Sequence, residues 1–195
     1  MKMIAATNNI HKLEEIRAIL KDKGITVVSL ADAGLTVEIE ENGDSFTDNA
    51  LIKAREVWRL TGEAAIADDS GLEVDALGGQ PGVKSARYSG ETGDDKDRKN
   101  NEKLKAALRT VPDGKRSARF CSAIAAVFPD GKEIIAEGYV YGKIGYTEKG
   151  GNGFGYDPLF IVDGYSKTMA ELDSKEKNKI SHRANALKEF VKKLE

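Results

Sequence analysis

The sequence predicts an α/β fold built on a mixed sheet flanked by helices. Strand, helix and strand alternate from the start of the chain. Lys2–Thr7 is a short apolar run, His11–Lys23 places Leu13, Ile16, Ile19 and Leu20 at helical spacing, and Ile25–Leu30 is apolar again after Gly24. That order suits a parallel strand pair joined by a right-handed crossover. Farther on, Ser117–Phe128 and Lys132–Val140 flank Pro129-Asp130-Gly131, a hairpin signal that adds an antiparallel part. The length, 195 residues, accommodates one large domain or two lobes sharing a cleft.

Composition narrows the class. With 40% hydrophobic residues and a net charge of −2, the chain has the balance of a globular protein rather than a disordered one. The same balance gives no global electrostatic reason for nucleic-acid binding. Cys121 is the only cysteine, so an internal disulfide is excluded and a Cys-based zinc site is not expected, as suits a reducing cytoplasm. The apolar run in MKMIAATNN is too short for a signal peptide, and no run approaches the ~20 apolar residues of a spanning helix.

The turn Thr7-Asn8-Asn9 falls between a strand and a helix. Free N–H groups and the helix dipole there favour a phosphate, with Lys12 adding a cation. Simple capping by Asn9, with Lys12 solvated, is the alternative. Glu38, Glu40 and Glu41 lie close together before Gly43, either as an exposed acidic loop or with one of them as a metal ligand. Ser45 and Asp48 resemble a capping box for a helix over 46–60. Its apolar stripe of Phe46, Ala50, Ala54 and Val57 includes or adjoins Lys53, and Trp58 is expected in the core. A lysine there either snorkels to solvent, which is expected on the sequence alone, or reaches into a cleft.

Glu63–Ala67 reads as a strand that delivers Asp68 and Asp69 to a tight turn at Ser70-Gly71. Adjacent side chains on a strand point to opposite faces, so the two aspartates are expected to do different jobs. Acids at a strand end suit a divalent metal and an attacking water; an Asp-Ser-Gly turn with solvated acids is the alternative. Residues 94–109 suggest a solvated helix around Leu104, Ala107 and Leu108. Cys121 reads as a small buried hydrophobe. In KGGNGFGYDP, residues 149–158, two rings sit among four glycines, placed to stack on a flat base or to pack inward. Ser174–Lys179 is a charged turn or short helix. Ser181 caps a final helix whose apolar side carries Ala184, Leu187, Val191 and Leu194. His182 and Arg183 lie in its first turn, where cations oppose the dipole, so a ligand oxygen or an acid elsewhere must hold them.

Five blocks in order, ATNNIHKLEE, ENGDSFTDNALIKA, ADDSGLEVDALGGQPGVKSARYSG, GFGYDPLF and EKNKISHRANAL, resemble the inosine triphosphate pyrophosphatase family, the XTP/dITP diphosphatases. The resemblance runs from Ala6 to about Phe190. It implies one domain over residues 1–195, an elongated α/β structure of two lobes around a central substrate cleft, and a homodimer. It implies Mg²⁺-dependent hydrolysis of ITP, dITP and XTP to the monophosphate and pyrophosphate. Alternatives are preference for another modified nucleotide, or a nucleotide-binding module without activity. No stable nucleic-acid or membrane partner is implied.

Carried onto this chain, the family pattern makes Asp69 the general base. Glu41 and Asp69, with Asp68 or Glu40, would place Mg²⁺. Thr7, Asn8, Asn9, Ile10, His11 and Lys12 would cradle phosphates, with Lys53 as a further cation. Phe154, Gly155, Tyr156, Asp157, Lys177, His182 and Arg183 would line the base pocket, and Ser70 would also touch substrate. Donors on His182 and Arg183 would favour a 6-oxo base over the 6-amino group of adenine. The family often has Thr-Gly-Asn where this chain has Thr7-Asn8-Asn9. Asparagine tolerates positive φ, so the turn is expected to survive. The role of His11, where members vary, is open.

Overall fold

The structure is a computed structural model and describes residues 1–194. Its six-stranded sheet has the order β2-β1-β3-β4-β5-β6, built from β1 (Lys2–Ala5), β2 (Thr26–Val28), β3 (Ala65–Val74), β4 (Ser117–Val127), β5 (Glu133–Ile144) and β6 (Phe160–Val162). The helices are α1 (Ile10–Lys21), α2 (Phe46–Thr61), α3 (Lys96–Ala107), α4 (Ser174–Ile180) and α5 (His182–Leu194). The sheet is mixed, as expected. β1 runs parallel to β2, with Met3 opposite Val27, and parallel to β3, with Ala5 opposite Ile66. β5 and β6 are antiparallel, with Lys143 opposite Ile161. β4 and β5 are neighbours joined through the 128–132 turn, closed by Phe128 N–H donating to the Lys132 carbonyl at 2.9 Å. So short a link permits only an antiparallel pair.

Contacts divide the chain into two compact units. The first comprises Met1–Asp69, Ser122–Gly138 and the chain from Ser181 onward; the second comprises Ser70–Cys121 and Tyr139–Ile180. The core of the first unit packs α1 and α5 residues, Leu13, Ile16, Leu20, Leu187 and Phe190, against Met3, Ile66, Ile124 and Ala126 of the strands. The core of the second unit gathers Leu72, Leu104, Leu108, Phe120, Val140, Tyr156 and Phe160. There the Phe120 and Phe160 rings lie 4.6 Å apart. Arg116, 1% exposed, directs its guanidinium at the carbonyls of Leu108, Val111, Ile144 and Gly145. A cation just beyond α3 complements the negative end of that helix.

Local signals explain most element ends. Asn9 caps α1 by accepting from His11 N and Lys12 N at 3.0 and 3.3 Å. Ser45 caps α2, accepting from Asp48 N at 3.1 Å and donating to Asp48 Oδ2 at 2.7 Å. Ser181 Oγ accepts from Ala184 N at 3.2 Å. No described non-glycine residue has a positive φ, so the Thr7-Asn8-Asn9 turn forms without a left-handed asparagine.

Three expectations are corrected. Asp68-Asp69-Ser70-Gly71 is no turn: β3 runs straight through it to Val74. The exposed Ala107 is not on the inner face of α3, which is Asn100, Asn101, Leu104 and Leu108. Trp58 is only half-buried. Cys121 is buried as expected.

The start of α5 is set by close packing. An added Cβ at Gly138 would lie 2.1 Å from Ala186 N and 2.4 Å from His182 O, backbone atoms that cannot step aside. Gly138→Ala is therefore expected to cost roughly 1–3 kcal/mol or more, as overpacking does. Urea denaturation checks this; an unchanged midpoint would mean that α5 is not seated on β5.

Candidate active site

In the first unit, two adjacent residues of β3 carry carboxylates into different surroundings, as the period of a strand requires. Asp68 is 1% exposed. Its Oδ2 pairs with Lys12 Nζ at 2.8 Å and Arg183 Nη2 at 3.1 Å, and its Oδ1 accepts from Arg183 Nε at 3.1 Å and Ser122 Oγ at 2.5 Å. Burial alone would raise this carboxyl. The charges and hydrogen bonds of Arg183 and Lys12 outweigh burial and hold it well below the usual carboxylate range.

Asp69 has the opposite balance. Its Oδ1 receives Lys53 Nζ at 3.2 Å and its Oδ2 receives Asn49 Nδ2 at 3.2 Å. Burial, helped by the negative charges of Glu41 and Asp68, prevails over Lys53 and Lys12, and the carboxyl is raised above its ordinary value. Neighbouring carboxylates pushed apart in this way mark a division between a permanent anion and a group able to take a proton.

Lys53 does not snorkel. It is 6% exposed, and its ammonium meets Glu41 Oε1 at 2.8 Å, the Asp68 carbonyl at 2.9 Å and Asp69. Burial opposes its charge, but Asp69, Glu41 and Asp68 together raise its pKa. Among the three loop glutamates, Glu41 is the one that reaches this cluster; Glu38 and Glu40 are exposed.

Among the described residues, no three Asp, Glu, His or Cys side chains converge as a ready-made metal cluster. Glu41 and Asp69 nevertheless face one cation, the Lys53 ammonium, with hard oxygen donors. Two carboxylates suit Mg²⁺, which commonly takes the rest of its shell from water and phosphate oxygens. Asp68 is committed to Lys12, Arg183 and Ser122, and Glu40 points to solvent.

Of the turn before α1, Thr7 Oγ1 accepts from Asn9 N at 3.1 Å and Asn8 Nδ2 donates to the Val37 carbonyl at 3.2 Å, while Ile10 and His11 are exposed. The capping reading of Asn9 holds, but Lys12 is not simply solvated: it pairs with Asp68. At the start of α5, His182 is 5% exposed and Arg183 fully buried. The guanidinium of Arg183 lies between Asp68 and Glu15. An acid elsewhere in the fold is what holds this cation against the helix dipole.

In the second unit, the 149–158 loop is ordered by polar contacts. Asp157 Oδ2 accepts from Phe154 N at 3.1 Å and Lys177 Nζ at 2.8 Å. The Lys177 ammonium lies 4.8 Å from the Phe154 ring centroid. The two rings part company. Phe154 is half-buried, whereas Tyr156 is 4% exposed, packs into the core and donates its hydroxyl to the Ser85 carbonyl at 2.8 Å. Burial pushes the Tyr156 phenol up, which keeps that donor protonated. Ser70, on β3, is half-buried.

Sequence reading missed Glu15, Asn49, Ser122, Asp97 and Asn101. Asn49 lies one turn before Lys53 on the same stripe of α2, and Ser122 is a hydroxyl within the apolar stretch 120–127 of β4. Each is a polar residue at an apolar position, which is the signal that could have found them.

Residues 3–193 match the model of the Ham1 family. A dITP/XTP pyrophosphatase of Clostridium perfringens is 49% identical over 199 aligned residues, covering 99% of this chain and 97% of that protein. One of Bacillus subtilis is 50% identical over 98% of this chain and 96% of its own length. Among solved structures, the Ham1 protein of Coxiella burnetii superposes with a TM-score of 0.88 at 39% identity, covering 100% of this chain and 98% of that one. The nucleoside-triphosphatase / dITP/XTP pyrophosphatase of Mycobacterium abscessus gives 0.78 at 49% identity, covering 97% and 98%. With the match running nearly end to end in sequence and in fold, this chain belongs to the Ham1 family.

Proposed function

We propose that this protein hydrolyses the non-standard purine nucleoside triphosphates ITP, dITP and XTP between the α and β phosphates. The products are the monophosphate and pyrophosphate, and the reaction clears such nucleotides from the pool. The observation that carries this is the geometry of two adjacent acids on β3: Asp68 is buried against Lys12, Arg183 and Ser122, whereas Asp69 is held by Lys53 and Asn49 beside Glu41. Relatives about half identical to this chain bear the name dITP/XTP pyrophosphatase.

Asp69 is the general base: it takes a proton from the water that attacks the α-phosphorus. A carboxylate of raised pKa is the stronger base, and positioned proton transfer contributes about 10²–10⁴-fold. Lys53 keeps Asp69 ionised until the proton moves, and Asn49 fixes the other carboxylate oxygen. Glu41 and Asp69 are the residues that would hold Mg²⁺. Bound there with the triphosphate, the ion neutralises phosphate charge and acidifies water. The positive end of α1, with Thr7 to Lys12, receives phosphate oxygens. Phe154, in the loop ordered by Asp157 and Lys177, offers a ring for the base, Ser70 adds a contact, and Gly155 and the core residue Tyr156 hold that loop in place. His182 donates to the 6-oxo group, where adenine would oppose it with a second donor. Arg183 supports the site by holding Asp68. The enzyme works as a cytoplasmic homodimer without a stable nucleic-acid or membrane partner; its single buried cysteine and net charge of −2 support that setting.

The test is incubation with ITP and with ATP, with and without Mg²⁺, and identification of the phosphorus products. IMP and pyrophosphate from ITP, dependent on Mg²⁺, is the expected result. IDP and orthophosphate would overturn the cleavage site, and equal attack on ATP would overturn the base selection.

A further inference from the structure

Helix α3 looks like a solvated helix in sequence, yet its inner face is polar where it meets the glycine-rich loop. Asp97 and Asn101 are four residues apart and so share that face. Asp97 Oδ2 accepts from Gly155 N at 2.8 Å, and Asn101 Nδ2 donates to the Gly155 carbonyl at 3.0 Å. The two side chains take both hydrogen-bonding groups of one residue, immediately after Phe154. On the other side, the Phe154 N–H is held by Asp157. The backbone is thus fastened at both residues 154 and 155. Gly153 and Gly155 have φ of +77° and +62°, and a Cβ at Gly153 would lie 2.0 Å from Asp157 Oδ2. Without the clamps, such a glycine-rich segment would sample many conformations. Asp97 lies in the first turn of α3, where its charge is favourable to the helix dipole, and Asn101 is 3% exposed.

We propose that Asp97 and Asn101 are positioning residues for the nucleobase: by clamping Gly155 from both sides they hold the Phe154 ring ready to stack. This rests on the reading above that Phe154 receives the base. Preordering a loop improves affinity by removing an ordering cost at binding, without touching the chemical step. A charge-assisted bond to a backbone N–H is among the stronger hydrogen bonds.

The test compares Asp97→Ala, Asp97→Asn, Asn101→Ala and Asn101→Asp in steady-state ITP hydrolysis, with inorganic tripolyphosphate as a competitor that has no base. Asp97→Ala and Asn101→Ala should raise KM for ITP about tenfold, with kcat within about threefold and the tripolyphosphate inhibition constant unchanged. Asp97→Asn should restore most of the loss, because an amide oxygen still accepts from Gly155 N. Asn101→Asp should be worse than Asn101→Ala, because a carboxylate would face the Gly155 carbonyl. Phe154→Ala separates the two ideas. If it leaves KM for ITP unchanged, the stacking reading fails. If it raises KM while the α3 variants do not, the clamp is overturned. Equal loss of ITP and tripolyphosphate affinity, or kcat falling with KM unchanged, also overturns it. Amide exchange over residues 153–157, faster in Asp97→Ala and Asn101→Ala than in the parent, reads the clamp directly; unchanged exchange refutes it.

Discussion

Asp69→Asn is expected to lower kcat for ITP by about 10²–10⁴-fold, the range of a positioned general base. Binding of a non-hydrolysable ITP analogue should change by only a few fold. The substitution is isosteric, and it leaves Lys53 its bonds to Glu41 and the Asp68 carbonyl. What it removes is the capacity to take a proton at a carboxylate whose burial has already made it more basic than usual. A kcat within fivefold of the parent would remove Asp69 from that role. An equally large loss of analogue binding would mean that Asp69 acts through holding metal and substrate and not as the base.

Arg183→Ala should be the most destabilising of the site variants. The side chain is fully buried, and its removal takes two hydrogen bonds from Asp68, also buried, and the Arg183 ion pair from Glu15. Breaking a buried pair by deleting one partner costs about 3–5 kcal/mol. For a chain of this size that is roughly 6–20 °C in Tm. The pH dependence has a definite sign. In the parent, Asp68 is held below the usual range, so its contribution is complete above about pH 4 and is lost as pH falls through its depressed pKa. In the variant, burial is opposed by Lys12 alone among these cations, and the penalty of an under-paired carboxylate is relieved when acid protonates it. Thermal melts in EDTA from neutral pH down to about pH 3 should therefore show the gap between parent and variant narrowing with acid. A gap that is small at neutral pH, or widens with acid, would contradict this role for Arg183.

How far the sequence reaches is visible at single residues. The Asn9 and Ser45 caps, the early strand–helix–strand order, the 128–132 turn and the opposed directions of Asp68 and Asp69 are consequences of neighbouring residues and fixed periods. They were legible because each depends on only a few positions along the chain. The run of β3 through Asp68-Asp69-Ser70-Gly71 was not legible, because the turn propensity of Ser-Gly was overridden by the sheet around it. The polar inner face of α3 was read as solvated because its partners, Gly155 and Ser85, are distant in sequence.

By itself, the sequence determined the kinds of element, their order, the family, and that two adjacent aspartates must leave β3 in different directions. Only the tertiary structure decided what each would meet. Asp68 became a fixed anion because Arg183, 115 residues away, and Ser122, 54 residues away, converge on it. Asp69 became the more basic carboxylate because its burial outweighs the charge of Lys53, which reaches it from α2. Direction is a local property of the backbone. Charge state depends on desolvation and on the charges that other elements bring within a few ångströms, and those distances exist only after folding.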